Sequence, residues 1–191
     1  MATTQPMRSK HQTRELASYY FQKGQLRNYV LIILGLNTAL RISDLLRLTW
    51  DDVYDFEKER IKTLINITEK KTRKSKVTAL NKQVINALLL FAPGTARRGR
   101  FLIENSGTKK AISRIQAYRL IRAAADALQF QNRVSCHSLR KTFGYFAWKN
   151  GVSPVIIMEI YNHSSLAVTR RYLGVTQDDE NEVYLSFNCM F

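Results

Sequence analysis

Four side chains of types that move protons or hold anions stand close together late in the chain: His137, Arg140, His163 and Tyr172. In His137-Ser138-Leu139-Arg140, the spacing of three puts an imidazole and a guanidinium on one face of a helix. Together they offer a proton carrier and a planar, fork-shaped anion clamp. The same four residues also fit an ordinary first helical turn with a capping His and an exposed Arg. In Asn162-His163-Ser164-Ser165-Leu166, Ser164 or Ser165 can cap a helix starting near Leu166. His163 then sits just outside a helix N-terminus, where anions are favoured. Tyr172 falls at the far end of that helix, beside Arg170 and Arg171. A core tyrosine with two solvated arginines fits that segment equally well. Much earlier, Arg41 directly follows an apolar run, where a guanidinium needs a partner or a purpose. Asp44, three residues on, is placed to orient it.

The elements that must carry these groups read mainly as helices. Residues 12–22 have apolar positions at Leu16, Tyr19 and Tyr20 with helical spacing, and Gly24 ends the segment. Residues 26–37 form a second, mostly apolar helix at the centre of the core. Ser43 caps a short helix running into Leu46 and Leu48, and residues 50–53 make the exit. Residues 61–68 and Val77-Thr78 are rich in β-branched side chains and predict a β-hairpin. Its tip, residues 69–76, is too basic to be core and carries Lys70, Lys71, Lys74 and Lys76. Residues 81–91 return to helix and stop at Pro93-Gly94; residues 101–103 suit a short strand. Helices are then expected over 112–128, 138–149, 154–161 and 166–172, the third opening on Pro154. Residues 177–187 form either a last helix or an added strand.

The 191 residues suffice for one ordinary domain with its own core. The composition is globular, with 45% hydrophobic and 24% charged residues. Thirty Lys and Arg against 15 Asp and Glu leave a net charge of +15, which points to a polyanionic partner. The excess sits in the body: the first 175 residues carry +19, whereas the tail has four acids and no Lys or Arg. Arg97, Arg98, Arg100, Lys109, Lys110, Arg114, Arg119 and Arg122 are candidates to grip backbone phosphates, although a solvated face explains about half of them singly. The most apolar run, 29–36, is far short of the roughly 20 residues a membrane span requires, and no secretory signal is visible. Cys136 and Cys189 form no metal or disulfide pattern, which suits a reducing cytoplasm.

Taken together, the groups resemble the tyrosine recombinase (phage integrase) family. That family runs Arg, Lys on a β-hairpin, His-x-x-Arg, His, Tyr; this chain has Arg41, Lys71, His137, Arg140, His163 and Tyr172 in that order. LRISDLLRLTWDDV resembles the first family box, and HSLRKTFGYFAWKNG with NHSSLAVTRRYLGV the second. The likeness extends from about Lys10 to Val175, and six positions matched in order are specific. Lys71 is chosen among the tip lysines because Lys-Thr after the first hairpin strand resembles the family's spelling. Two departures stand out. Ala39 replaces the Gly often found before Leu-Arg. Tyr161-Asn162 replaces Leu-Gly before the second His, where Asn tolerates the left-handed backbone that Gly would supply.

The resemblance implies an α+β, mainly α-helical catalytic domain with a small antiparallel sheet over residues 1–175. Residues 176–191 would be an acidic and apolar tail that docks in cis or on a neighbouring protomer. Only about forty residues precede Arg41, so the chain either resembles the short, catalytic-domain-only members that invert fimbrial switches or is a trimmed piece of a longer protein. The implied activity is site-specific DNA recombination through a 3′-phosphotyrosyl intermediate: integration, excision or inversion. Tyr172 would attack, His137 act as base, Arg41, Arg140 and His163 hold the phosphate, and Lys71 protonate the leaving oxygen. No cofactor and no metal is implied, since two guanidinium groups stabilise the charge. The implied partner is double-stranded DNA bearing specific sites, with the protein monomeric when free, tetrameric on synapsed DNA, cytoplasmic and off the membrane. The alternatives are a non-catalytic DNA-binding accessory or regulatory protein on the same fold, and a nicking-closing enzyme of the type IB topoisomerase kind.

Overall fold

The computed structural model describes residues 4–186. Among these the chain forms ten helices and two small antiparallel sheets. The helix starts are set by short polar side chains. Ser9 accepts a hydrogen bond from Gln12 N–H at the start of α1 (Lys10–Gln22), and Asn81 from Val84 N–H at α5 (Lys82–Phe91). Ser113 and Gln116 form a capping box at α6 (Arg114–Ala127). Ser135 opens α7 (Cys136–Lys149), Ser153 with Pro154 opens α8 (Pro154–Tyr161), and Ser165 opens α9 (Leu166–Leu173).

The apolar helix expected at the centre is α2 (Leu26–Asn37), buried at Val30, Leu31, Ile32, Ile33, Leu34 and Gly35. It packs on α1, α5 and α7. A Cβ at Gly35 would come within 2.6 Å of Leu139 Cδ1, so the absent side chain is what lets α2 and α7 approach. Two short helices follow, α3 (Ile42–Leu45) and α4 (Trp50–Val53), the latter opened by a Thr49–Asp52 capping box where an exit turn was expected.

Several boundaries differ from expectation for identifiable reasons. Residues 61–68 are not one strand. A small hairpin of β1 (Tyr54–Asp55) and β2 (Arg60–Ile61) precedes the main one, β3 (Leu64–Thr68) with β4 (Ser75–Ala79). The tip also differs from its reading as a turn over residues 69–76 too basic to be core. Ser75 and Lys76 belong to β4, and Glu69 is only 1% exposed. The β3 alternation, with Ile65 and Ile67 inward, continues to Glu69 and carries its carboxylate inside. Phe101 makes an isolated bridge to Thr49 rather than a strand. Helix α7 starts at Cys136 because Ser135, not a later residue, supplies the cap, which puts His137 in its first turn. The tail is helical, α10 (Gln177–Ser186); the expected positions Phe187, Cys189, Met190 and Phe191 lie outside the described residues.

Helix α10 is pinned to its own domain by charge. Buried Asp179 accepts from Thr176 N–H at 2.9 Å and pairs with Lys149 at 3.1 Å and Arg8 at 3.5 Å. Glu182 pairs with Lys149, and Glu180 with Arg170. The apolar residues Val183, Tyr184 and Leu185 remain exposed. No helix among the described residues is long and apolar enough to cross a membrane.

Candidate active site

The six matched residues come from five places in the chain. Arg41 caps α3, Lys71 lies on the β3–β4 tip, His137 and Arg140 are on α7, His163 is in the α8–α9 turn, and Tyr172 is near the end of α9. Arg41, Lys71, His137, Arg140 and Tyr172 line one cleft of about 960 Å³. His163 completes the set from beneath, its ring centroid 4.7 Å from that of Tyr172.

The floor is a small apolar cluster of Ala39, Ile157, Tyr161 and Leu173. Tyr161, fully buried, donates its hydroxyl to the Arg140 carbonyl at 2.6 Å. Its ring lies 5.0 Å from His163 and 4.9 Å from Tyr172, and the Arg140 guanidinium sits 4.5 Å from its centroid. Thus the residue replacing Leu in the family pattern forms an aromatic platform under the site. Asn162 takes the left-handed conformation, φ 51 and ψ 46, as expected of an Asn standing where Gly is usual. Ala39 also has positive φ, 55, at the other position where the family often has Gly. This backbone turns its carbonyl toward Arg140 Nη1, which donates to it.

The arginines are held from behind. Arg140, 3% exposed, donates through Nη2 to Tyr161 O at 3.1 Å, and Arg41 Nη2 donates to the same carbonyl at 3.2 Å. Arg140 Nε has no hydrogen-bond partner among the described residues. Asp44 does not orient Arg41, contrary to expectation. Its carboxylate instead accepts from Lys70 N–H at 2.9 Å, and Arg41 pairs with Glu69 at 2.8 Å. Position three of α3 faces the hairpin backbone, so the guanidinium finds its acid across the fold rather than along the chain.

The nucleophile candidate and the base candidate touch. Tyr172 Oη lies 3.1 Å from His137 Nδ1, with the rings edge to face at 4.7 Å. His137 keeps an open edge to solvent, but the atoms packed around it and the charges of Lys141, Arg140 and Arg41 push its pKa down to about 4. His163, whose Nδ1 meets Thr169 Oγ1 at 3.0 Å, is likewise pushed down to about 4 by burial and then by Arg140 and Arg41. Tyr172 is raised by burial, partly offset by Arg140 and Arg41. At neutral pH the site therefore holds a neutral imidazole against a protonated phenol, among fixed cations.

Lys71 is exposed at the cleft edge, near enough for its charge to act on His163. Lys76 does a different job: it reaches inward and donates to Ile160 O, and burial lowers its pKa. Among the described residues no three His, Cys, Asp or Glu gather as metal ligands. Glu69 and Lys141 were not singled out from sequence, and Tyr161 and Lys76 were named there without the roles they take here. Lys141 is 6% exposed with its ammonium 5.3 Å from the Tyr172 ring centroid.

The mainly helical domain has counterparts among known proteins. The chain belongs to the phage integrase family, whose sequence profile matches residues 9–179. It is similar, at 35% identity over 187 residues and 98% of both chains, to "Probable integrase/recombinase YoeC" of Bacillus subtilis (strain 168). In fold it is similar to the crystal structure of XerA recombinase (TM-score 0.77, 21% identity), covering 99% of this chain and 68% of that one. It is also similar to XerH site-specific recombinase bound to palindromic difH substrate, a post-cleavage complex (TM-score 0.75, 17% identity), covering 97% and 54%. The chain thus has the fold of the tyrosine recombinase catalytic domain.

Proposed function

We propose that the protein is a tyrosine-type site-specific DNA recombinase that cuts and rejoins strands through a 3′-phosphotyrosyl intermediate. The observation that carries this reading is the Tyr172 hydroxyl 3.1 Å from His137 Nδ1 in a cleft lined by Arg41 and Arg140. A phenol is a weak nucleophile at neutral pH, so an unprotonated imidazole at hydrogen-bond distance is the base it requires. In the proposed step His137 accepts the phenolic proton and Tyr172 Oη forms the bond to phosphorus. The P–O5′ bond breaks, and Lys71 gives its proton to the departing 5′-oxygen. Arg41 and Arg140 meet the charge growing on the non-bridging oxygens. The bound phosphate favours protonated His163, which then donates to a third position. The phosphotyrosyl ester keeps the energy needed for religation, so no nucleotide enters.

The proposed partner is double-stranded DNA with specific recombination sites, bound in the cytoplasm by a protein that is a monomer when free and a tetramer on two synapsed sites. The XerH recombinase, similar in fold, is bound to its difH substrate, and that supports the choice of DNA. The body (1–175) is proposed as the catalytic unit and residues 176–191 as a tail that exchanges cis for trans docking. Its ion pairs to Lys149, Arg8 and Arg170 support the cis state, and exposed Val183, Tyr184 and Leu185 support a second acceptor. The test is incubation with nicked duplex fragments tiled across the DNA beside its own gene, resolved under denaturing conditions. A covalent protein–DNA band that Tyr172→Phe loses while retaining DNA affinity supports the reading. Binding without any covalent band in the parent protein supports the accessory-protein alternative.

A further inference from the structure

A single buried carboxylate touches three arms of the cleft. Glu69, 1% exposed, pairs with Arg41 Nη1 at 2.8 Å and accepts from Thr72 Oγ1 at 2.7 Å and from Asn162 Nδ2 at 3.0 Å. One partner is a phosphate clamp, the second adjoins Lys71, and the third adjoins His163. Burying a carboxylate is costly unless it is paired and hydrogen-bonded, and a residue that only filled space here would be apolar like Ile65 and Ile67 before it. Burial pushes the Glu69 carboxyl up, but Thr72, Arg41 and Asn162 outweigh it and hold the group below its ordinary value. Lys71 is itself exposed, so the tip's position comes from its neighbours: Thr72 bound to Glu69, and Lys70 N–H bound to Asp44. Asn162, standing where Gly is usual, supplies the amide that closes the link to the His163 turn.

We infer that Glu69 is a positioning residue for strand cleavage, fixing Lys71 and Arg41 relative to the His163 turn. This rests on the transesterification reading above. The test uses the full chain and a nicked duplex from the tiled set in two forms, with oxygen or with sulfur bridging the scissile phosphorus to the 5′-carbon. A thiolate leaves without a proton, so a defect that acts through Lys71 shrinks on the sulfur form. Glu69→Gln is expected to fold with a lowered thermal midpoint, to keep its DNA affinity within about threefold, and to slow covalent adduct formation about a hundredfold on the oxygen form. On the sulfur form the loss should be about tenfold or less, the remainder reflecting Arg41. Glu69→Asp, which keeps the charge, should recover part of the oxygen-form rate. Rates within twofold of the parent, or equal losses on both forms, overturn the inference. A parent protein that forms no adduct on either duplex overturns the transesterification reading instead, before any variant is compared.

Discussion

His137 and His163 illustrate how a residue's neighbours set its chemistry. Both rings stand among arginines and packed atoms that make protonation unfavourable, so each has a pKa of about 4 instead of 6.5. In a titration of the free protein followed by imidazole proton resonances, both should move near pH 4; movement near 6.5 would show that neither burial nor the cations hold them down. The sign for stability follows from linkage. The unfolded chain takes up these protons near 6.5 and the folded chain near 4, so this contribution to stability is full above about 6.5 and is lost as the pH falls through that window. Denaturation midpoints measured from pH 7 to pH 4 should fall accordingly. The six matched positions were legible in the sequence because they resemble the family's residues in type and in order along the chain. Glu69 was not, because its partners Arg41 and Asn162 are 28 and 93 residues away. Only the strand alternation marked it, as an acid on an inward position.

At the scale of elements, α7, α8 and α9 converge under the site. A Cβ on Gly144 would come within 2.4 Å of Tyr161 Oη and 3.0 Å of Leu173 Cδ2. Alanine is the better helix former by about 1 kcal/mol, so an exposed glycine would gain from Gly144→Ala. Here the neighbour is a fully buried ring fixed by its bond to the Arg140 carbonyl, and it cannot yield. The substitution should therefore destabilise the protein by about 1–3 kcal/mol in thermal or urea unfolding, and displace the platform beneath Tyr172. A neutral or stabilising result would mean that α7 and α8 can separate cheaply. The tail makes a second prediction. Removal of residues 176–191 deletes the Asp179 pairs and exposed Val183, Tyr184 and Leu185, none of which lines the cleft. Single-site DNA binding should stay largely intact while two-site complexes and strand exchange fail; undiminished recombination would take the tail out of the mechanism. The helix opening on Pro154 was readable to the residue, whereas α7, capped by Ser135, begins two residues before its expected start. The β1–β2 hairpin was not readable: strands of two residues leave no periodicity to detect.

The whole molecule is a strongly basic body with its charge unevenly available. Arg98, Arg100 and Arg122 are engaged by Glu57, Glu104 and Asp126, whereas Lys70, Lys71, Arg47 and Arg114 line the cleft. Affinity for non-cognate duplex should fall steeply with salt, with a slope of about −0.9 in log K against log salt for each phosphate neutralised. A nearly flat dependence would separate the positive charge from DNA binding. Family, fold and charge were all foreshadowed by sequence, because they rest on residue type and order; the partnering of the charges waits on the folded chain. Everything proposed for the site turns on Tyr172 becoming esterified to DNA, and one measurement meets that directly. A covalent adduct is trapped on a nicked duplex, digested with nuclease and trypsin, and sequenced by fragmentation mass spectrometry. Arg171 is the last basic residue, so the tryptic peptide 172–191 carries both Tyr172 and Tyr184, and the fragment series separates them. Attack by Tyr172 predicts a 3′-phosphonucleotide on that residue and none elsewhere; the same mass on Tyr184, on Tyr161 or on any other residue would contradict it.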